Sequence, residues 1–256
     1  MYYYDDGTNK RRVHHDCLPL NFRMLIVGPS GCGKTTLLMR FLLEDGLLNY
    51  DKLYVFSRSL YQPEYQCLKE GFKHNLPKEN IAELISLAKG IRKYDSSIRE
   101  AALGMKVILE KEKKPLSEIE AEFHENPEDI PDPTELDRDI RNLIVFDDIM
   151  MDNKQTTAEK YYTQSRSANC DCIYLSQNYT RLPLHSVRSN TNFLIFFKSS
   201  NRVVRQLHDD FSGIDMKYSD FKKLCENTWK QKFKFLVIDL SRDNDDIFRN
   251  TLELRF

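Results

Sequence analysis

The stretch Gly28-Pro29-Ser30-Gly31-Cys32-Gly33-Lys34-Thr35-Thr36 sets three glycines within six residues ahead of a lysine and two threonines, directly after the apolar run Met24-Leu25-Ile26-Val27. The spacing G-x-x-x-x-G-K-[ST] has a physical use when it follows a strand and opens a helix. Glycines admit the backbone angles that turn successive N–H groups inward, and the helix N-terminus adds partial positive charge, so the loop can wrap a chain of phosphates. In that geometry residues 28 to 36 form the cradle, Lys34 reaches the β- and γ-phosphates of a nucleotide such as ATP, and the Thr35 hydroxyl ligates Mg2+.

Hydrolysis needs more than a cradle. Leu143-Ile144-Val145-Phe146-Asp147-Asp148 is an apolar strand ending in two acids, which puts carboxylates at the carboxyl end of a buried strand, where open α/β sheets bind ligands. Asp147 is the candidate for the Mg2+ shell, and Asp148 is the candidate base that polarises the attacking water. A further strand, Cys172 to Leu175, runs into Ser176-Gln177-Asn178. Gln177 is the candidate to bond both the γ-phosphate and the water, with Asn178 as the alternative, although an asparagine here serves equally well to cap the following turn. A strand at Lys52 to Phe56 precedes the acidic one, which makes the acidic strand third in chain order, as in ATPases with an extra strand and a catalytic acid. Asn153-Lys154-Gln155-Thr156 lacks the acid of a guanine-reading N-K-x-D motif.

The elements that must carry these residues are short apolar runs of strand length, Phe22–Val27, Lys52–Phe56, Leu143–Phe146, Cys172–Leu175 and Phe193–Phe197, alternating with segments of helical spacing. Leu37, Leu38, Phe41 and Leu42 make one helical face that stops near Gly46; Ala158, Tyr161 and Tyr162 make another. That alternation predicts an α/β fold, a mainly parallel sheet covered by helices on both faces; the glycine loop, the extra strand and the acid after the later strand make it similar to the P-loop NTPase type (ASCE, RecA-like). Residues 75 to 140 break the rhythm with two capping-box patterns, Ser97-Ile98-Arg99-Glu100 and Ser117-Glu118-Ile119-Glu120, and a proline-rich hinge, Pro127 to Pro133; they predict an inserted, largely helical excursion. Phe233 to Asp239, a polar turn at Ser241 to Asp246 and a run to Phe256 predict a C-terminal β-hairpin.

With 256 residues and 41% hydrophobic content, the chain supports one core, read as a domain over 21–256 preceded by a polar arm over 1–20. A net charge of −1 gives no global pull toward nucleic acid, so any such contact needs a local basic strip, for which Lys198, Arg202 and Arg205, or Lys111, Lys113 and Lys114, are available. No apolar run approaches membrane-spanning length and the first residues lack a signal-peptide core, which predicts an intracellular, soluble protein without membrane contact. Six scattered cysteines fit reduced thiols.

The set Gly28–Thr36, Leu143–Asp148, the run Tyr161 to Pro183, the block Val187-Arg188-Ser189-Asn190-Thr191-Asn192-Phe193 and the stretch Tyr54 to Tyr65 together resemble the A32-like genome-packaging ATPases of large DNA viruses, virophages and related elements, in the FtsK–HerA branch of P-loop ATPases. The resemblance runs from about residue 19 onward. It implies an ATP-hydrolysing, Mg2+-dependent motor that threads double-stranded DNA into a capsid at the virus assembly site. It also implies capsid or portal partners and a homo-oligomeric ring, pentamer or hexamer, in which a neighbour's arginine completes each active site. Arg188, in the R-x-N block, is slightly preferred for that role over Arg166, where relatives show G-R-H and this chain reads Ser165-Arg166-Ser167; either arginine can instead bond a backbone carbonyl locally. Two rivals are a phosphotransferase acting on a small acceptor and a non-hydrolysing, ATP-dependent assembly factor.

Overall fold

The computed structural model describes residues 14–88, 96–149, 155–211, 216–242 and 247–249. Within them, eight strands form one sheet: β1 (Arg23–Val27), β2 (Lys52–Ser57), β3 (Glu120–His124), β4 (Asn142–Asp147), β5 (Cys170–Ser176), β6 (Phe193–Phe197), β7 (Phe235–Asp239) and β8 (Phe248–Arg249). Their spatial order is β3-β2-β4-β5-β1-β6-β7-β8. The first six are mutually parallel, and β7 and β8 continue the sheet antiparallel. Every residue of β4, β5 and β6 is buried, as central strands covered on both faces must be.

The alternation of side chains along β1 divides the core in two. Met24 and Ile26 face a layer built by α1 (Lys34–Leu43), α2 (Pro63–Lys73), α3 (Lys78–Leu87) and α4 (Ser96–Lys111). Leu25 and Val27 face α5 (Thr156–Gln164), α6 (Asn201–Asp210) and α7 (Tyr218–Thr228). The fold is thus α/β with helices on both faces of a mainly parallel sheet. No helix among the described residues is long and apolar enough to cross a membrane.

Several expectations change in detail. The capping box at Ser117 opens no helix: the Ser117 hydroxyl accepts a hydrogen bond from the Ile119 N–H at 3.2 Å, and β3 follows. The alternation explains it, because Ala121 and Phe123 pack on the core while Lys52 of the neighbouring strand pairs with Glu120 at 3.5 Å and Glu122 at 2.8 Å. The insertion therefore adds an edge strand, and the acidic strand β4 is fourth in chain order, not third. The box at Ser97, by contrast, falls at the start of α4.

Of residues 14 to 18, grouped with the arm on sequence, His14, Cys17 and Leu18 are buried. His14 Nε2 lies 2.8 Å from Asp171 Oδ2 and the Asn49 N–H donates to His14 Nδ1 at 3.1 Å, so the imidazole carries its proton on Nε2 and donates to the carboxylate. Arg141 Nη1 donates to the same oxygen at 3.1 Å. Strand β7 starts at Phe235 instead of Phe233, whose φ of 66° is incompatible with an extended strand. The hairpin forms with Val237 opposite Arg249 and Ile238 opposite Phe248. The remainder of its turn at 243–246 and the run 250–256 lie outside the described residues, as do 1–13.

Candidate nucleotide site

Strand β1 delivers the glycine loop. The Gly28 N–H continues the ladder to the Ser176 carbonyl at 3.1 Å, and a Cβ on Gly28 would stand 2.6 Å from both Cys32 Sγ and Phe197 Cβ, so no larger residue fits. Gly33, at φ 103°, turns the chain into α1. The first turn of α1 has no acidic residue and no side-chain cap, which leaves its N–H groups and partial positive charge directed at the loop. Lys34 Nζ bends back to the carbonyls of Gly28 at 2.7 Å and Pro29 at 3.0 Å. Thr35 is half-buried at the helix start, and Thr36 is exposed.

The parallel register brings three strand ends level with this loop. Val27 of β1 pairs with Ser176 of β5, and Leu175 pairs with Asp147 of β4, which in turn pairs with Ser57 of β2. Asp147 and Asp148 therefore stand at the carboxyl edge of the sheet, with Gln177 exposed one residue past β5, between the acids and the loop. The order β4-β5-β1 puts the Gln177 strand between the loop strand and the acidic strand.

The two acids sit in different environments. Asp147 is buried and accepts a hydrogen bond from the Tyr65 hydroxyl at 2.5 Å. Burial pushes its carboxyl above the usual range; the Tyr65 hydrogen bond opposes that, the neighbouring Asp148 charge adds to it, and the Lys34 ammonium draws it down. Lys34 and Asp147 thus lie within electrostatic reach of each other. The Tyr65 hydroxyl stays protonated, its pKa raised by burial and by the Asp147 charge. Asp148 leaves the strand in the left-handed region, φ 56°, and accepts from the Ser59 hydroxyl at 2.9 Å. Such strained backbone is tolerated by aspartate and concentrates at functional sites.

Ser59 and Tyr65 are positioning residues that the sequence did not single out. They follow β2 at the sheet edge beside β4, and the signal available was a hydroxyl-rich segment, Ser57-Arg58-Ser59, at the carboxyl end of a predicted strand. The Asp147 environment carries a stability consequence. A carboxyl whose folded pKa is raised favours folding only while it is protonated; that contribution is lost as pH rises through the folded value, and at neutral pH the buried charge is a cost. Asp147→Asn is therefore expected to raise the unfolding temperature of the nucleotide-free protein at neutral pH, with the difference vanishing below the carboxylate range, where both forms are neutral. An unfolding temperature that falls at neutral pH would contradict this account of the site.

Other candidates lie elsewhere. Asn178 Oδ1 accepts from the Thr180 N–H at 3.1 Å and the Thr180 hydroxyl at 2.8 Å, the capping role that competed with function. Arg188, the preferred trans arginine, is engaged inside its own fold. Its Nη1 meets Asp210 Oδ2 at 2.5 Å, its Nε donates to the Leu182 carbonyl at 3.2 Å, and its guanidinium lies 5.2 Å from the Tyr179 ring centroid. Tyr179 and Gln206 hold the same carboxylate at 2.8 Å each. Arg188→Ala leaves the half-buried Asp210 without its cation, so a loss of about 2 kcal/mol of stability in denaturant unfolding is expected; unchanged stability would show that the pair does not support the fold. Arg166 is exposed in the turn ahead of β5, at the end of the sheet opposite Lys34. The basic strips fall on opposite layers: Arg202 and Arg205 on α6, with Lys198 just before it, and Lys111, Lys113 and Lys114 at the end of α4. Arg205 lies 3.7 Å from the Tyr218 ring centroid, and Lys114 pairs with Glu112 at 2.8 Å.

The donor set fits a nucleotide and a hard cation: open helix N–H groups, a lysine, a threonine hydroxyl and a buried carboxylate. No cluster of three acid, imidazole or thiol ligands occurs among the described residues, and Mg2+ characteristically takes one or two carboxylates together with substrate phosphates.

The fold and the loop define an α/β P-loop architecture. No family model matches the chain, and no curated protein matches it. Among solved structures it is similar to the genome-packaging NTPase B204 of Sulfolobus turreted icosahedral virus 2 in complex with AMPPCP, at 12% identity and a TM-score of 0.47, covering 91% of this chain and 97% of that one. It is also similar to VirB4 of Thermoanaerobacter pseudethanolicus, at 11% identity and a TM-score of 0.46, covering 86% and 87%. A third is the bacterial conjugative coupling protein TrwB, at 10% identity and 0.41, covering 84% and 82%.

Proposed function

We propose that the chain is an ATP-hydrolysing motor that translocates double-stranded DNA, of the genome-packaging type. The observation that carries the hydrolytic part is the meeting of the glycine loop, Lys34, Asp147, Asp148 and Gln177 at one edge of three adjacent strands. The DNA-packaging part rests on the resemblance in the motif set, above all the block from Gln177 to Phe193.

In this reading the loop N–H groups grip the phosphates and Lys34 leaves the carbonyls of Gly28 and Pro29 for the β- and γ-phosphate oxygens. Thr35 and Asp147 hold Mg2+, which when bound neutralises charge on the phosphate oxygens. Asp148, aimed by Ser59, accepts the proton of a water attacking the γ-phosphorus in line, and the bond to the β-phosphate oxygen breaks to release ADP and phosphate. Gln177 orients that water. Arg188 or Arg166, each ahead of a parallel strand at the end of the sheet away from its own Lys34, is the arginine donated in trans; such an arginine contributes about 10³- to 10⁵-fold in related chemistry.

The test is ATP turnover with and without double-stranded DNA, read beside the assembly state. Turnover in an oligomer that DNA accelerates is expected. Turnover indifferent to DNA in a stable monomer would overturn the motor reading, and consumption that depends on a small acceptor would favour a phosphotransferase.

A further inference from the structure

We infer that Phe233 is the platform for the base of the bound nucleotide, and that the base is held by stacking instead of by a hydrogen-bonded reading of its edge; this rests on the nucleotide reading of the glycine loop. The strand order gives the loop two flanks. On one, β5 and β4 carry Gln177, Asp147 and Asp148, so the reacting γ-phosphate lies toward that side. The nucleoside, at the other end of the phosphate chain, then lies toward β6 and β7.

On that second flank the segment between α7 and β7 comes over the loop. Trp229 anchors its start, with the indole N–H donating to the Phe196 carbonyl at 3.2 Å and the ring 5.1 Å from that of Phe196. Phe235 anchors its end, edge-on to Phe197 at 5.3 Å. Between these anchors Phe233 is held outward and is 57% exposed. Its Cδ1 stands 3.7 Å from the position a Cβ on Gly33 would take, beside the last glycine of the cradle. The φ of 66° at Phe233 is a conformation that suits glycine or asparagine and disfavours a bulky ring, so neither the turn nor core packing accounts for phenylalanine here. The Lys232 ammonium lies 4.9 Å from the ring centroid, and Lys230 and Lys234 are also exposed, a positive setting suited to a nucleotide. A flat apolar face beside the phosphate loop is what a base needs, and because every base has a π-face such a platform discriminates little between them.

The experiment is calorimetric titration of the full chain, in Mg2+, with non-hydrolysable ATP and GTP analogues and with inorganic tripolyphosphate, for the parent, Phe233→Ala and Phe233→Trp. In Phe233→Ala, affinity for both analogues is expected to fall by roughly 5- to 150-fold, with tripolyphosphate affinity and unfolding temperature unchanged; Phe233→Trp is expected to restore analogue binding. The parent is expected to bind the two analogues within about 10-fold of each other. Undiminished analogue binding by Phe233→Ala, an equal loss for tripolyphosphate, or strong preference for one base in the parent would overturn the inference. A parent that binds neither analogues nor tripolyphosphate would instead overturn the reading of the loop itself.

Discussion

Lys34→Ala is expected to lower ATP turnover by about 10²- to 10³-fold, the scale on which removing one preorganised donor from developing charge acts. The effect arises from position. Lys34 is the one side chain of the cradle that carries a full positive charge, and it sits close enough to Asp147 to draw that carboxyl toward its ionised form. Its loss removes a phosphate ligand and makes Asp147 harder to ionise. The hydrogen bonds it makes to Gly28 and Pro29 join parts of one short loop, so the unfolding free energy is expected to stay within about 0.5 kcal/mol of the parent. Steady-state turnover beside denaturant unfolding checks both halves. A variant that keeps parental turnover would remove Lys34 from the chemistry, and one that fails to fold would make it structural.

Asp148→Asn is expected to cost about 10²- to 10⁴-fold in turnover, the usual contribution of a positioned general base, while nucleotide affinity holds. The amide is isosteric and its oxygen still accepts from the Ser59 hydroxyl, which donates to Asp148 at 2.9 Å, so the geometry of the strand end survives and only the proton acceptor is lost. The same substitution separates the motor from a factor that binds ATP without cleaving it. Parallel measurement of kcat and of analogue affinity is decisive: an unchanged kcat would assign the base elsewhere, and a matching loss of affinity would make Asp148 a ligand.

How legible the molecule was in its sequence depended on whether each feature was local. Gly28 to Thr35 could be read because the loop is a contiguous backbone device, and β4 and β6 because a strand covered on both faces shows as an uninterrupted apolar run. Strand β3 was not, since Ser117 to Glu120 satisfies a helix-capping pattern, whereas pairing along β2 and the packing of Ala121 and Phe123 on the core make residues 120–124 a strand. His14 looked like part of a polar tail because its partner Asp171 is remote in sequence. Arg188 shows the same limit at the site: its motif is local, whereas its ion pair with Asp210, a carboxylate that also accepts from Tyr179 and Gln206, is made by tertiary packing. Ser59 and Tyr65 remained unseen for the same reason, each acting through a carboxylate on another strand.

The most direct measurement is an experimental structure of the full chain with Mg2+ and a non-hydrolysable ATP analogue. The account predicts the phosphates inside the Gly28–Thr36 loop, Lys34 moved from the loop carbonyls to the terminal phosphates, the metal on the Thr35 hydroxyl with Asp147 in its shell, and Asp148 and Gln177 facing the γ-phosphate. A nucleotide bound away from that loop, or a γ-phosphate directed toward β6 with the acids remote from it, would contradict it.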